Sequence, residues 1–166
     1  VVEGGKERAD SIEAALAKVN PEAEFVCIHD AARPCLADQW IDQIFEAAEK
    51  TDAAIFAIPV AGTVKRVGEN HRITETVSRE GLWEAQTPQV FSRSLLQKAY
   101  EGDLSNVTDD AQLVEALGQK VHVVPGDPRN IKITSPADLA VVAAVIDSLP
   151  KPKLAGGDHP FAEAKW

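Results

Sequence analysis

A short charged turn in the sequence follows directly after an apolar segment. The apolar residues are FVCI at 25–28, and the turn HDAARP follows at 29–34. Asp30 can hold a cation or a sugar hydroxyl, Arg33 can meet a phosphate, and the two alanines let a ligand approach the backbone closely. A salt bridge between Asp30 and Arg33 that braces the turn explains the hexapeptide equally well. The motif alone therefore leaves a binding site and a structural turn as equal alternatives.

Four further residues have the chemistry of a phosphate site, and each also has a simpler structural explanation. Lys132 in NIKIT either clamps a phosphate at the floor of a pocket or is an edge-strand lysine whose ammonium group reaches water. Thr108 in VTDDA is most simply a helix cap, and Arg79 is most simply a solvent-exposed arginine. Thr87 in AQTPQVF is equally ambiguous when it is considered alone. The spacing gives no support to a Cys–His or Ser–His–Asp nucleophile.

The composition is that of a globular protein with an acidic surface. The 166 residues are 45% hydrophobic and 26% charged, with a formal net charge of −9, and we expect one sizeable core. This charge argues against a nucleic-acid or anionic-membrane partner, which would need a basic stripe. No apolar run reaches the roughly 18 to 20 residues of a membrane span, and no signal-peptide pattern opens the chain. We therefore expect a cytoplasmic protein in which Cys27 and Cys35 are reduced thiols.

Strand and helix patterns alternate along the chain, which predicts an α/β fold with a mostly parallel sheet and helices on both faces. Ligands bind beyond the carboxyl ends of the strands in such sheets, and HDAARP, PVAGT and NIKIT all lie at strand ends. The predicted strands are 24–28, 52–58, 121–124 and 130–134. The predicted helices are 10–19 with a capping box at Asp10 and Glu13, a helix capped by Asp38, 92–100, 108–117 with Thr108 as N-cap, and 136–149 with Ser135 as N-cap, Pro136 at N1 and Asp138 at N3.

The pattern changes between residues 60 and 79, where two β-rich segments flank GENH at 68–71. The segments TVKRV and RITETVSR predict a two-stranded hairpin of polar surface, which is too small to be stable unless it packs on something. Prolines and glycines interrupt residues 150–166, and we expect a poorly ordered tail there.

Six segments occur in an order that is specific in combination, although each is weak alone. They are VEGGKERADSIEAAL, HDAARP, PVAGTVKR, TVSREGLWEAQTPQVF, VTDDAQLVEALG and NIKITSPADL. Over about residues 3–146 they resemble the 2-C-methyl-D-erythritol 4-phosphate cytidylyltransferase family of the non-mevalonate isoprenoid pathway. The resemblance implies a Rossmann-like nucleotidyltransferase fold whose protruding hairpin arm forms a homodimer. It also implies that a phosphate oxygen of the substrate attacks the α-phosphorus of CTP and that Mg²⁺-bound pyrophosphate leaves.

The resemblance assigns the site residues motif by motif. The cytosine pocket would be lined by Gly4, Gly5, Lys6 and Ser11, with Ala31 near the ribose. The methylerythritol phosphate would be held by Asp30, Arg33, Thr63, Arg79, Thr87, Thr108 and Lys132. Asp30 would also contact the Mg²⁺ ion, and Lys132 would also lie near the α-phosphate. The expected catalytic residues are then Lys132 and Arg79, the latter delivered by the hairpin arm into the partner's site.

The sequence departs from the family pattern at three places. Gly62 stands where the family usually has Asp before Thr63, and Ser78 stands where Asp often precedes the arm arginine, so we expect looser hydrogen bonding in the arm. The glycine-rich loop that cradles the CTP triphosphate in the family does not occur in the sequence. We therefore expect residues 1–149 to be a cytidylyltransferase domain without its N-terminal part, and the isolated chain to be inactive. The alternatives are a cytidylyltransferase for ribitol 5-phosphate or another polyol phosphate, and a non-catalytic dimerising remnant.

Overall fold

The computed structural model describes residues 1–151. In this part of the chain no helix is both long and apolar enough to span a membrane. The helices are α1 (Arg8–Leu16), α2 (Asp38–Thr51), α3 (Arg93–Tyr100), α4 (Asp110–Ala116) and α5 (Pro136–Val145). The strands are β1 (Phe25–Ile28), β2 (Ala53–Pro59), β3 (Val64–Val67), β4 (Ile73–Val77), β5 (Trp83–Ser92) and β6 (His122–Pro125). The sequence predicts a poorly ordered tail, and from residue 152 onward that tail lies outside the described residues.

Four strands form the main sheet in the order β1-β5-β2-β6. Strand β5 runs antiparallel to both β1 and β2, whereas β2 and β6 are parallel. Three of the four strands therefore point in one direction, but two of the three neighbouring pairs are antiparallel, and the sheet is mixed. This corrects the prediction of a mostly parallel sheet. The reason is that the pattern of residues 83–92 predicts no strand, because glutamines and a proline interrupt its apolar residues.

Strand β5 carries a bulge opposite β2. The pairing with β2 passes from Gln89 directly to Gln86, so Thr87 and Pro88 have no partner on β2. Because these two residues leave the ladder, the Thr87 carbonyl is available to other groups. It accepts a hydrogen bond from Nδ2 of Asn130 at 2.7 Å.

Helices cover both faces of the main sheet, as the alternating pattern predicts. Successive residues of β2 point to opposite faces. Ala53 and Ile55 belong to the core formed with α1, α3 and α4, whereas Ala54 and Phe56 belong to the core formed with α2. All four side chains are buried. The continuous apolar sequence of β2 is thus explained by a strand that is covered on both faces.

The predicted hairpin is confirmed, and it is a two-stranded sheet of β3 and β4 separate from the main sheet. An ion pair of 2.9 Å between Arg66 and Glu75 crosses its surface. Val67 and Ile73, which are paired in the hairpin, are 53% and 62% exposed. The part of the chain that the structure describes therefore leaves apolar side chains of the hairpin arm (residues 60–79) in contact with solvent.

The segment NIKIT at 130–134 is not a strand, which corrects the sequence prediction. It is an irregular segment between β6 and α5. Its Asn130 carbonyl accepts a hydrogen bond from Nη1 of Arg33 at 2.7 Å, and its Ile133 N–H donates to the carbonyl of Ala32 at 2.8 Å. These contacts tie the segment to the HDAARP turn without a strand ladder.

The first helix begins two residues earlier than predicted. Asp10 is the third residue of α1 rather than the residue that caps it. Its Oδ2 atom accepts hydrogen bonds from the N–H groups of Lys6 and Glu7, at 3.1 and 3.0 Å. Asp38 is likewise the first residue of α2, and Ala37 occupies the N-cap position. The carboxylates expected near these two helix starts are present, but they lie inside the first turn.

The cap of α4 also differs from the prediction, whereas the start of α5 agrees with it. Asp109, rather than Thr108, caps α4, and its Oδ1 atom accepts a hydrogen bond from the Gln112 N–H at 3.1 Å. At α5, Ser135 is the N-cap and its N–H donates to Oδ2 of Asp138 at 2.7 Å. The helix ends earlier than expected, and a short 3-10 turn follows it.

Candidate active site

A polar cavity of about 220 Å³ opens where β1 ends, beside the bulge of β5. Its walls come from the HDAARP turn, the middle of β5, the loop before α4 and the NIKIT segment. Five residues that the sequence analysis selected line it together: Asp30, Arg33, Thr87, Thr108 and Lys132. The fold thus brings four distant motifs to one place, at the strand end where the α/β pattern predicts a ligand.

The carboxylate of Asp30 lies among three cationic side chains. Nζ of Lys132 is 2.9 Å from its Oδ2 atom, Nε of Arg33 is 3.8 Å from the same oxygen, and Nε of Arg8 is 3.4 Å from Oδ1. Burial alone would raise the pKa of Asp30. The hydrogen bonds and charges of Lys132 and Arg8 outweigh burial, and the pKa lies below its ordinary value. Asp30 therefore stays ionised and holds the three cations at one wall of the cavity.

The shortest contact of Arg33 is with the NIKIT segment rather than with Asp30. Nη1 of Arg33 donates to the Asn130 carbonyl at 2.7 Å, whereas the ion pair with Asp30 is longer, at 3.8 Å. Burial lowers the pKa of Arg33, although the charges of Asp30 and Glu84 oppose this effect. Nε of Arg33 is buried and has no hydrogen-bond partner among the described residues. Bracing of the turn by an Asp30–Arg33 salt bridge is therefore only a minor part of what this arginine does.

The hydroxyl group of Thr87 is held by two neighbouring residues of the HDAARP turn. Its oxygen accepts a hydrogen bond from the Asp30 N–H at 3.0 Å and lies 3.1 Å from Nδ1 of His29. Nε2 of His29 lies 2.9 Å from the carbonyl of Arg33. Because a carbonyl can only accept, Nε2 of His29 carries a hydrogen and donates it to the Arg33 carbonyl. The bulge of β5 and the turn after β1 therefore fix each other.

Another part of the cavity wall is built around the start of α4. Gln89 is almost fully buried; it accepts a hydrogen bond from the Ala111 N–H at 3.2 Å and donates to Oδ2 of Asp109 at 3.0 Å. The Thr108 hydroxyl donates to Oε1 of Gln112 at 3.1 Å. Thr108 thus lies at the cavity, but its hydroxyl hydrogen is already donated to a residue of α4.

The residues assigned to the cytosine pocket form a second group at the start of α1. The Gly5 N–H donates to Oγ of Ser11 at 3.0 Å. A Cβ atom on Gly4 would lie 2.9 Å from Oγ of Ser11, and one on Gly5 would lie 2.2 Å from Cβ of Asp10. Only glycine therefore lets the backbone pass this close to the helix. Lys6 is exposed beside them.

Besides the group at the start of α1, three more of the assigned residues do not line the cavity. Ala31 is exposed in the turn, next to Asp30 in the chain. Thr63 directly precedes β3 and Arg79 follows β4, so both lie at the base of the hairpin arm, and both are exposed. Nη1 of Arg79 donates to the carbonyl of Ala61 in the same chain. That Arg79 reaches the site of a partner stays a prediction.

A family model described as IspD: 2-C-methyl-D-erythritol 4-phosphate cytidylyltransferase matches residues 1–148. The chain belongs to this family. A 2-C-methyl-D-erythritol 4-phosphate cytidylyltransferase of Syntrophus aciditrophicus is 43% identical over 149 residues, which are 88% of this chain and 64% of that protein. The bifunctional enzyme IspD/IspF of Granulibacter bethesdensis is 49% identical over 143 residues, which are 86% of this chain and 38% of that protein. The chain thus spans less than two thirds of either relative.

Solved structures confirm the cytidylyltransferase-type fold that the resemblance implies. The crystal structure of 2-C-methyl-D-erythritol 4-phosphate cytidylyltransferase from Thermus thermophilus has a TM-score of 0.80 at 34% identity and covers 88% of this chain and 72% of that one. The Francisella tularensis enzyme of the same name has a TM-score of 0.76 at 36% identity and covers 86% of this chain and 69% of that one.

Within residues 1–151 of this cytidylyltransferase-family chain, the side chains form no metal site by themselves. The described residues contain no group of three or more His, Cys, Asp or Glu that could hold one. Both oxygens of Asp30, the expected metal contact, face cationic groups of Lys132, Arg33 and Arg8. In this structure Asp30 pairs with cations of the protein, and a contact between Asp30 and Mg²⁺ stays a prediction.

Two residues that the sequence motifs did not single out, Arg8 and Asn130, form contacts that hold the candidate site together. Arg8 is the first residue of α1, where a cation is unfavourable beside the positive end of the helix dipole. That mismatch was a signal that the arginine has a specific anionic partner. Asn130 is buried and bonds Thr87 and Arg33 through different groups. Its signal was weak, because a polar residue beside an apolar segment is common at strand ends.

Proposed function

We propose that this chain provides the substrate-binding part of an enzyme that transfers the cytidylyl group of CTP to 2-C-methyl-D-erythritol 4-phosphate in non-mevalonate isoprenoid biosynthesis. The observation that carries the proposal is the convergence of Lys132, Arg33 and Arg8 on one carboxylate at the wall of a polar cavity. Membership of the family supports the same reading, since the Syntrophus relative is named for this reaction.

The charge of the cavity suits a phosphate ligand. The protein carries a formal charge of −9, yet three cations face a single carboxylate at Asp30. Arg8 is also paired with Asp110, and Asp109 is a second carboxylate of the lining, so Lys132 and Arg33 are the cations that a phosphate oxygen in the cavity would meet. Charge-assisted hydrogen bonds to arginine and lysine are among the stronger ones in proteins. The side chain of Lys132 is 45% exposed, so its ammonium group can turn from Asp30 to a ligand.

The proposed reaction needs alignment and charge neutralisation rather than a protein nucleophile. A phosphate oxygen of the polyol phosphate forms a bond to the α-phosphorus of CTP while the bond from that phosphorus to pyrophosphate breaks. Lys132 would neutralise charge that develops on the phosphoryl oxygens, and Arg33 and Thr87 would orient the polyol phosphate. Thr108, in the part of the cavity wall that precedes α4, would offer the lone pairs of its hydroxyl oxygen to a hydroxyl of the polyol.

The start of α1 is proposed to bind the cytosine base. Backbone groups of Gly4 and Gly5 and the hydroxyl of Ser11 form a small polar surface there. A base that is bound through backbone groups is selected by its pattern of donors and acceptors rather than by its charge. The exposed Lys6 and Ala31 would lie at the edges of the nucleotide.

Three further parts of the proposal concern partners and location. Mg²⁺ would enter with the phosphates of CTP, since magnesium is often held by substrate phosphates with few protein ligands. The hairpin arm, with exposed Val67 and Ile73, would form a homodimer and place Arg79 and Thr63 near the site of the partner. The enzyme would act in the cytoplasm, because its substrates are water-soluble phosphates.

The proposal is tested with the full-length gene product that contains these residues. Pyrophosphate release is measured with CTP, Mg²⁺ and either 2-C-methyl-D-erythritol 4-phosphate or ribitol 5-phosphate. We expect kcat/KM at least tenfold higher for the methylerythritol substrate. A preference for ribitol 5-phosphate would assign the protein to the other polyol substrate. Absence of turnover with both substrates would favour a non-catalytic dimerising role instead.

A further inference from the structure

Arg8 connects the cavity to the protein core. It is the first residue of α1, and its guanidinium group contacts carboxylates from two other parts of the chain. Nη2 of Arg8 lies 2.6 Å from Oδ2 of Asp110, and Nε lies 3.4 Å from Oδ1 of Asp30. The planar guanidinium group is suited to bridging two carboxylates in this way, because its donors point in fixed directions.

The end of this bridge at Asp110 is fixed in the core. Asp110 is the first residue of α4 and is fully buried, and its Oδ1 atom accepts a hydrogen bond from the hydroxyl of Tyr100. Burial and the neighbouring carboxylate raise the pKa of Tyr100, so the phenol remains a donor. Burial alone would lower the pKa of Arg8, but the hydrogen bond and charge of Asp110 outweigh it and raise that pKa. The guanidinium group is therefore held, in its charged form, against a carboxylate that cannot move into solvent.

The other end of the bridge acts on the cation that faces the cavity. Arg8 occupies the Oδ1 side of Asp30, whereas Lys132 occupies the Oδ2 side. Lys132 stands on an irregular segment and is 45% exposed, while the Asp30 side chain is only 14% exposed. The position of the ammonium group thus depends on the orientation of Asp30, and that orientation depends on Arg8.

We infer that Arg8 is a positioning residue of the site: anchored on buried Asp110, it fixes the carboxylate of Asp30 and, through it, the ammonium group of Lys132 against which the phosphate of the substrate binds. The inference rests on the proposed function for the identity of that phosphate. The competing explanation is structural, namely that Arg8 only neutralises the buried charge of Asp110.

A paired substitution separates the two explanations. Arg8→Gln alone leaves a buried carboxylate without its cation, and we expect it to lower both the melting temperature and kcat/KM. Combining Arg8→Gln with Asp110→Asn removes the unpaired charge and allows an amide–amide hydrogen bond, while the ionic contact to Asp30 stays absent. We expect the double variant to recover most of the melting temperature but to keep a loss of at least tenfold in kcat/KM for the polyol phosphate.

An NMR measurement also follows the position of Lys132, and it does not require the protein to turn over substrate. In the full-length gene product with ¹⁵N-labelled lysine, the Nζ signal of Lys132 is assigned by its absence from Lys132→Arg. We expect this signal to be detectable in the parent, where the ammonium group is held by Asp30, and to broaden in the double variant. A double variant with a recovered melting temperature, parental kcat/KM within threefold and a parental Nζ signal would overturn the inference.

Two further outcomes also test the inference, and the first of them requires one additional variant. If the double variant melts below the assay temperature, Arg8→Lys decides the question. It keeps a charge for Asp110 but cannot span both carboxylates, so parental kcat/KM and a parental Nζ signal in that variant would overturn the inference. If the parent turns over neither polyol phosphate, the proposed function fails, and the Nζ signal alone decides whether Arg8 positions Lys132.

Discussion

Lys132 and Asp30 lie in opposite halves of the chain, yet their Nζ and Oδ2 atoms are 2.9 Å apart. The side chain of Asp30 is 14% exposed and that of Lys132 is 45% exposed, so the anion is the fixed partner and the cation is the accessible one. A ligand that offers a phosphate oxygen can therefore share Lys132 with Asp30 without unfolding any part of the sheet.

Replacing Lys132 should impair activity much more than stability. Lys132→Ala in the full-length gene product removes a charge-assisted contact worth about 1.5–3 kcal/mol, which corresponds to roughly a ten- to hundredfold loss in kcat/KM. The melting temperature should change little, because Arg8 and Arg33 still face Asp30. The exposed Lys120 provides the matched control, and Lys120→Ala should behave like the parent. A large fall in the melting temperature of Lys132→Ala would instead assign a structural role to this lysine.

The stability contributed by Asp30 should depend on pH in a defined direction. Its pKa in the folded protein is lowered, so its ionised form stabilises the fold at pH values above the ordinary pKa of Asp, about 3.9. That contribution is lost as the pH falls through the lower, folded-state pKa. The melting temperature of the parent should therefore exceed that of Asp30→Asn at pH 7, and the difference should shrink below about pH 4. A constant difference between pH 7 and pH 3 would contradict this explanation.

The close approach of Gly5 to α1 predicts that a single methyl group is harmful there. In Gly5→Ala, the new Cβ atom would lie 2.2 Å from Cβ of Asp10, so the start of the helix must shift. Overpacking of this kind costs about 1–3 kcal/mol in the free energy of unfolding, which urea titration measures. Gly62→Ala is the matched control, since no other group lies within 4 Å of the position that its methyl group would take, and it should leave the free energy nearly unchanged. Equal effects of the two substitutions would refute the steric argument.

The proposed action of Arg79 across a dimer can be measured by mixing subunits. Full-length Arg79→Ala and Lys132→Ala proteins should each be impaired, since one lacks the arm cation and the other lacks the cation at the cavity. If Arg79 acts in the site of the partner, a mixed dimer contains one site with both residues intact, and some activity returns. The control is the Lys132→Ala protein alone, treated under the same conditions as the mixture. No gain over the parent variants would place the action of Arg79, if any, within its own subunit.

Much of the fold follows from the sequence, because most elements have strong local signals. The continuous apolar pattern of β2 requires two covered faces, and Ser135 and Asp138 specify the start of α5 through local hydrogen bonds. Strand β5 could not be predicted in this way. Its Gln86, Thr87 and Gln89 are buried and polar, and they are tolerated only because distant residues supply their hydrogen bonds.

The site shows the same division between local and distant information. The motifs identified Asp30, Arg33 and Lys132, and the fold brings these residues together. No local sequence pattern predicts the contact of Arg8 with Asp110, because it joins α1 to α4 and depends on how the two helices pack. NIKIT shows the converse error, in which a local pattern predicts a strand that does not form. Its sequence is apolar and of strand length, but contacts with Arg33 and Ala32, rather than a strand ladder, hold the segment in place.

The bulge of β5 also limits how this chain can change by insertion or deletion. Thr87 and Pro88 are a two-residue excess over β2. Removing only one of them would move every later side chain of the strand to the opposite face, because side chains alternate with a period of two. Removing both would give a regular ladder and would delete the threonine that faces the HDAARP turn. The shortest deletion that keeps this alternation would therefore make the sheet more regular and would remove a residue that lines the candidate site.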